Sequence, residues 1–186
     1  MSTSGRTKSP KKPKARKRAA KGTPEPIPAP QLGPVNEWFE LRRSRIQGVG
    51  AFALQDIPKG TRLIEYTGEK ITNAEADRRY DEEAMARHHT FLFVLNQRTV
   101  LDAANGGNES MFINHSCDPN CEVEIVRGHI WIEAGKTIPA GDEITYDYAF
   151  ENDPDYTVED LRFYACRCGA AKCRGTIVNT RRRLTP

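Results

Sequence analysis

Three of the five cysteines in this 186-residue chain fall within eight residues near its C-terminus, in "CRCGAAKC" at 166–173. Thiolates so close together suit a tetrahedral Zn2+ site, which takes four N or S ligands at about 2.0–2.3 Å. Cys166, Cys168 and Cys173 supply three, so a closed structural site lacks one. Only Cys117 and Cys121 remain, both in "NHSCDPNC" at 114–121. Three readings of Cys117 stand at this point: a nucleophile beside His115, half of a local metal site, or one ligand of a site completed elsewhere. The N-terminus carries no apolar export signal, so metal is expected rather than a disulfide framework.

The charge is split along the chain. The net +3 combines residues 1–22, with nine Lys and Arg and no acid, with a remainder of 19 basic against 25 acidic residues. "KSPKKPKARKRAAKG" cannot bury enough apolar surface to offset the entropy of ordering, so residues 1–35 are expected to be a disordered, Pro-rich basic arm. Nucleic-acid or chromatin contact through residues 1–22 is one reading of it, and a solvated tail is the other. "TPEPIPAPQLGPV" reads as an extended, semi-stiff spacer. No apolar run is long enough to span a bilayer, so a soluble protein without membrane contact is expected.

From Trp38 onward the texture is that of a compact fold. "WFELRRSRIQGVGAFALQDIPKGTRLIEYTGEKI" contains short β-rich runs broken by turn residues. "TNAEADRRYDEEAMAR" is the one clear helix, with Thr72 or Asn73 as its cap. "TFLFVL" and "TVLDAA" read as buried strands around an "NQR" turn, "EVEIVRGHIWIEAGKTI" as a hairpin about Arg127-Gly128, and "PAGDEITYDYAF" as a turn followed by a strand. The expected class is mainly β, with one or two short helices.

"RSRIQGVGAFA", "EYTGE", "VLDA", "MFINHSCDPN", "GDEITYDY" and "CRCGAAKC" stand in the order found in SET-domain protein-lysine methyltransferases with a post-SET zinc segment, and the chain resembles that family over about residues 38–180. Having neither a cysteine-rich pre-SET segment nor a reader domain, it resembles the small bacterial members. The resemblance implies a β-clip fold of small curled sheets with a knot-like threaded C-terminal segment. It divides the chain into a SET domain at 36–150, a post-SET segment at 151–180 and a basic tail at 181–186. It also implies that Cys117, Cys166, Cys168 and Cys173 hold Zn2+ and that Cys121 is free.

The family's chemistry has S-adenosylmethionine and a lysine side chain enter from opposite faces and meet through a narrow channel. Lysine's solution pKa is near 10.4, so its nucleophilic amine is scarce at neutral pH. An apolar channel and a nearby sulfonium both disfavour the ammonium form. By resemblance Tyr148 is the catalytic tyrosine, Tyr66 a second channel aromatic, and Tyr146 the residue that governs how many methyl groups are added. The resemblance assigns cofactor contacts to Gln47, Gly48, Val49, Gly50, Phe91, Asn114, His115, Tyr148 and Arg167. Phe91 stands where many relatives have tyrosine, and Met111 where they commonly have arginine.

Between Asp142 and Asp160 lie eight acids and no Lys or Arg. They read either as a solvated loop or as a funnel for a basic, histone-like peptide, and the protein's own arm fits the same field. The expected function is a monomeric protein-lysine N-methyltransferase giving mainly mono- and dimethyl-lysine. The competing class is a non-catalytic, zinc-stabilised chromatin or nucleic-acid adaptor that binds through its arm. Cytoplasm or nucleoid is the expected place in a bacterium, and nucleus or chromosome in a eukaryotic cell or a host.

Overall fold

The computed structural model describes residues 29–80, 91–150, 152 and 156–180. The basic arm before residue 29, the second half of the expected helix, the acids Glu151, Asp153 and Asp155, and the basic tail lie outside these residues. Among the described residues, three small sheets make up the body. The first has β1 (Gly33–Pro34), β2 (Phe39–Arg43), β3 (Val49–Ala53), β11 (Glu143–Tyr146) and β8 (Asn114–His115) as neighbours in that order. The second orders β4 (Arg62–Tyr66), β10 (His129–Ala134) and β9 (Cys121–Val126), and the third β5 (Glu69–Thr72), β7 (Thr99–Asp102) and β6 (Leu92–Asn96).

Alternation sets which faces meet. Ile130, Ile132 and Ala134 of β10 are buried while His129, Trp131 and Glu133 between them are more exposed, as a half-buried strand requires. Phe39, Leu41, Ile57, Ile113, Ile132, Ile138 and Ile144 are each at most 1% exposed and form the main core. Each such side chain contributes about 1.5–3 kcal/mol by leaving water. A second group gathers Tyr66, Leu101, Ala103 and Ile130, with Phe91, Phe93 and Met111 packed on it. Met111, in the place of an arginine, is therefore part of an apolar contact.

The expected helix begins as predicted. Helix α1 (Asn73–Arg79) is capped by Thr72, whose hydroxyl accepts from the Glu75 N–H, and Arg78 and Arg79 lie in its last turn. Several elements were not foreseen, among them the 3-10 turn at Glu109–Phe112 and the short strand β8. The end of the proline-rich spacer forms β1, pairing Gly33 with Leu41 and Pro34 with Glu40 at a sheet edge, where a proline's missing N–H costs no ladder bond. Helix α2 (Val158–Phe163) begins within the acidic stretch 142–160, read as a solvated loop or a funnel for a basic peptide.

Two parallel contacts, β8 with β11 and Val178 with Phe150, and one antiparallel bridge, Thr176 with Ala165, organise the C-terminal part. Strand β8 runs beside β11, pairing Asn114 with Thr145 and His115 with Tyr146. The returning chain bridges Val178 to Phe150 and Thr176 to Ala165, with Val178 fully buried. A 3-10 turn at Glu109–Phe112 delivers the chain into β8; its cap Asn108 donates from Nδ2 to the Glu65 carbonyl at 2.8 Å.

Candidate active site and metal centre

Strands β8 and β11 place the "NHSC" and "YDY" runs side by side, and the post-SET loop folds onto their ends. The sulfur atoms of Cys117, Cys166, Cys168 and Cys173 all lie within 4.8 Å of one another. Cys117 Sγ is 3.7 Å from Cys166 Sγ and 3.9 Å from Cys173 Sγ. A tetrahedron with metal–sulfur bonds of about 2.3 Å has edges of about 3.8 Å, so the spacing fits. Each sulfur also accepts at least one backbone N–H: Cys117 from Arg174, Cys166 from Cys168, Cys168 from Cys117 and Cys173 from Gly175. Such donors suit thiolates better than thiols. Burial pushes the Cys168 thiol up, yet the Cys117 and Ala170 amides and the neighbouring thiols outweigh it and hold its pKa at about 6. These four cysteines are able to hold a metal ion.

Cys121 stands apart. It is 2% exposed in the main core, where burial lifts its thiol to about 12.

His115 links the cluster to the strand ahead of it. Its Nδ1 accepts the Tyr148 N–H at 3.1 Å, which leaves the proton on Nε2, 3.4 Å from Cys117 Sγ. Burial lowers its pKa to about 4, so the ring is neutral. That is incompatible with activation of Cys117 as a nucleophile by a charged histidine partner. Cys117 belongs to the sulfur cluster.

Four aromatic rings form a continuous row. Tyr66 and Phe93 have centroids 5.1 Å apart, Phe93 and Tyr146 6.3 Å, and Tyr146 and Tyr148 4.9 Å. The Tyr148 hydroxyl donates to the Ile113 carbonyl at 3.0 Å, and the Tyr66 hydroxyl to the Phe91 carbonyl at 3.0 Å. The Tyr146 hydroxyl has no hydrogen-bond partner among the described residues. Burial foremost, and then the Glu143 carboxylate, raise the Tyr148 phenol above its ordinary value.

Asn114 is the hub of the other side. Its Nδ2 lies 3.0 Å from the Val49 carbonyl, 3.3 Å from the Gln47 carbonyl and 2.8 Å from Glu143 Oε1, while its Oδ1 has no partner among the described residues. The amide's donors are thus taken up by the protein, and its acceptor alone remains for a ligand.

A family model described as SET domain matches residues 48–149. The chain belongs to the SET-domain family. It is 40% identical over 141 residues to Histone-lysine N-methyltransferase 2D of Homo sapiens, covering 72% of this chain and 2% of that protein. It is 39% identical over 140 residues to the H3 lysine-4 specific histone-lysine N-methyltransferase of Saccharomyces cerevisiae, covering 72% and 12%. With Histone-lysine N-methyltransferase SUV39H2 of Xenopus tropicalis the identity is 35% over 164 residues, covering 78% and 40%. The SET chain therefore spans less than half the length of these relatives.

The site residues expected from the SET resemblance divide by position. Gln47, Val49, Gly50 and Asn114 meet in one hydrogen-bonded and close-packed group around Glu143, which was not among them, and His115, Tyr146 and Tyr148 follow along the paired strands. Gly48 precedes that group, with φ of 50° and nothing within 4 Å of a Cβ there. Phe91 packs edge-on against Phe112 near Tyr66, and Arg167 is exposed between two cluster cysteines. Gly50 has a more specific reason than close approach to a ligand. A Cβ there would lie 2.9 Å from Asn114 Nδ2 and closer still to Glu143 Oε1.

Four residues were missed as parts of the site: Ser44, Glu143, Asp147 and Arg174. Glu143 Oε1 accepts from Ser44 Oγ at 2.7 Å as well as from Asn114, and Asp147 pairs with Arg174. Two of the eight acids read as a surface field therefore face inward. The only sequence hint is their place inside motif strings, since an acid beside a strand carries no mark of its partner.

Proposed function

We propose that this SET chain is a protein-lysine N-methyltransferase acting on a basic, histone-like protein and giving mainly mono- and dimethyl-lysine. The observation that carries the reading is the aromatic row Tyr66–Phe93–Tyr146–Tyr148, which would line the lysine channel and ends at β11, beside the strand bearing Asn114 and His115. S-adenosylmethionine would be held by Asn114 and the 47–50 backbone, with His115 beside it, and supplies an electrophilic methyl carbon. The open Asn114 Oδ1 suits its ammonium group.

The protein's own residues then do three things. The aromatic walls exclude water and disfavour the ammonium form of an entering lysine. Tyr148, with its proton donated to Ile113, turns its oxygen lone pairs outward as an acceptor for the amine or the methyl hydrogens. Because its phenol is raised above its ordinary value, it stays neutral and acts by positioning rather than by taking a proton. The Tyr146 hydroxyl, without a partner among the described residues, fills, or holds a water in, the space that a methylated amine needs in order to turn.

Zn2+ is the ion we assign to the four cysteines, where it fixes the post-SET segment against β8. The division into arm, SET domain, post-SET segment and tail follows from the same reading. The arm is a targeting element for nucleic acid or a substrate in its own right. Action is at chromatin in a eukaryotic nucleus, or in the cytoplasm and nucleoid of a bacterium.

The test is incubation of the full chain with methyl-labelled cofactor and a panel of basic proteins, followed by peptide mapping. Label on a lysine side chain is expected. Cofactor binding by calorimetry with no transferred label on any protein would refute catalysis and leave the adaptor.

A further inference from the structure

Arg174 follows the last cluster cysteine, and nothing in its sequence position marks it. Its Nη1 donates to Asp147 Oδ2 at 2.7 Å and its Nη2 to Asp147 Oδ1 at 2.9 Å, a bidentate fork, and its side chain is 6% exposed. Its backbone N–H donates to Cys117 Sγ at 3.3 Å. Asp147 Oδ1 also accepts the Ala149 N–H at 3.0 Å, and Ala149 has φ of 50°, a left-handed conformation that side chains disfavour. One carboxylate thus clamps the guanidinium and the turn that leads away from Tyr148.

A second path joins the same points. The Tyr148 N–H donates to His115 Nδ1, and His115 Nε2 faces Cys117 Sγ. The two paths close a ring through Cys117, His115, Tyr148, Asp147 and Arg174. Tyr148 is bound on one side by its own amide and on the other through its two neighbours. Its ring also meets His115 edge-on at 5.3 Å.

We propose that Arg174 is a positioning residue for methyl transfer: by chelating Asp147 it locks the backbone around Tyr148 to the four-cysteine site, so that metal occupancy sets the aim of the Tyr148 hydroxyl. The inference rests on the methyltransferase reading. Removing the guanidinium leaves the half-buried Asp147 carboxylate without its main partner and frees the Ala149 turn to relax. All four cysteines and the Asn114 group keep their own contacts, so metal stoichiometry and cofactor affinity are preserved.

The test uses the full, metal-loaded chain as wild type, Arg174→Met, Arg174→Lys and the double variant Arg174→Met/Ala149→Gly. Metal content, chelator-driven metal release, cofactor affinity by calorimetry and single-turnover methyl transfer are measured on each. Arg174→Met is expected to keep one metal ion and near wild-type cofactor affinity, to release metal faster, and to transfer methyl about 10²-fold more slowly, the cost of a small misplacement at the reacting centre. Arg174→Lys, which keeps charge but not the fork, falls between. Adding Ala149→Gly restores part of the transfer rate, because glycine holds the turn without help from the carboxylate.

Wild-type transfer in Arg174→Met would overturn the proposal. So would a loss that follows metal content and is untouched by Ala149→Gly. If Arg174→Met does not fold, wild-type transfer and release in Arg174→Lys overturn it equally. If the wild type itself transfers no methyl, the methyltransferase reading fails by that result, and the link from Arg174 to the metal site is still decided by release: equal rates in wild type and variants refute it.

Discussion

Replacing Gly50 by alanine puts one methyl group where the structure has no room for it. The new Cβ would stand 2.9 Å from Asn114 Nδ2 and 3.0 Å from Glu143 Cδ, and nearer still to Glu143 Oε1. Strand β3 is paired on both sides, to β2 and to β11, so its backbone has little freedom to retreat. Glu143 must withdraw instead, and it then loses the bonds from Ser44 at 2.7 Å and from Asn114 at 2.8 Å. Hydrogen bonds to a charged group contribute about 1.5–3 kcal/mol each, so the loss is about 3 kcal/mol or more. For a domain of this size that lowers Tm by about 6–12 °C. Displacement of Asn114 also weakens cofactor binding. The assay is a thermal melt together with calorimetric titration of S-adenosylmethionine, run on Gly50→Ala, Glu143→Ala and the double variant. Since Glu143→Ala removes the closer clash and leaves only the Asn114 amide to shift, the double variant should be destabilised by clearly less than the sum of the two single changes. A Gly50→Ala protein that melts within about 2 °C of wild type, or strict additivity in the cycle, would refute the packing account.

Two further outcomes are expected at the metal centre and in the channel. Cys117→Ser should lose the metal and most activity, whereas Cys121→Ser should keep one ion per chain and lose only about 1–3 kcal/mol of stability from a hydroxyl placed in the core. Metal analysis with thermal melts checks this, and equal metal loss in both variants counts against the four-cysteine assignment. Tyr146→Phe should shift products toward trimethyl-lysine without abolishing the first transfer, since it removes the one hydroxyl of the lining that has no partner among the described residues. Mass spectrometry of product at early turnover reads this directly, and mainly trimethyl-lysine from the unmutated protein contradicts it.

Local signals located most of the elements. The cap at Thr72, the alternation of Ile130 and Ile132 about Trp131, and the turn at Arg127-Gly128 each act within a few residues, so they are legible in the string. Strand β1 was not, because its pairing comes from β2 rather than from the propensity of Gly33-Pro34. Helix α2 was hidden by the acids around it, which composition alone assigns to a loop. Three sulfurs of the cluster were marked by their spacing at 166–173, and the choice of Cys117 over Cys121 as the fourth came from the resemblance to the SET family. The inward turn of Glu143 and Asp147 could not, because their partners Ser44 and Arg174 lie 99 and 27 residues away. The role of Gly50 is of the same kind: the reason for the missing side chain is a carboxylate from another strand.

The central claim is that the Tyr148 hydroxyl, set beside the aromatic lining and the Asn114 strand, positions a lysine amine for methyl transfer. Single-turnover transfer to a basic protein, with calorimetry of the cofactor, on wild type and Tyr148→Phe side by side, tests it most directly. The account predicts labelled methyl on a lysine side chain from the wild type, and from Tyr148→Phe unchanged cofactor binding with transfer slower by about 10²-fold or more. Equal transfer rates in the two proteins would contradict it.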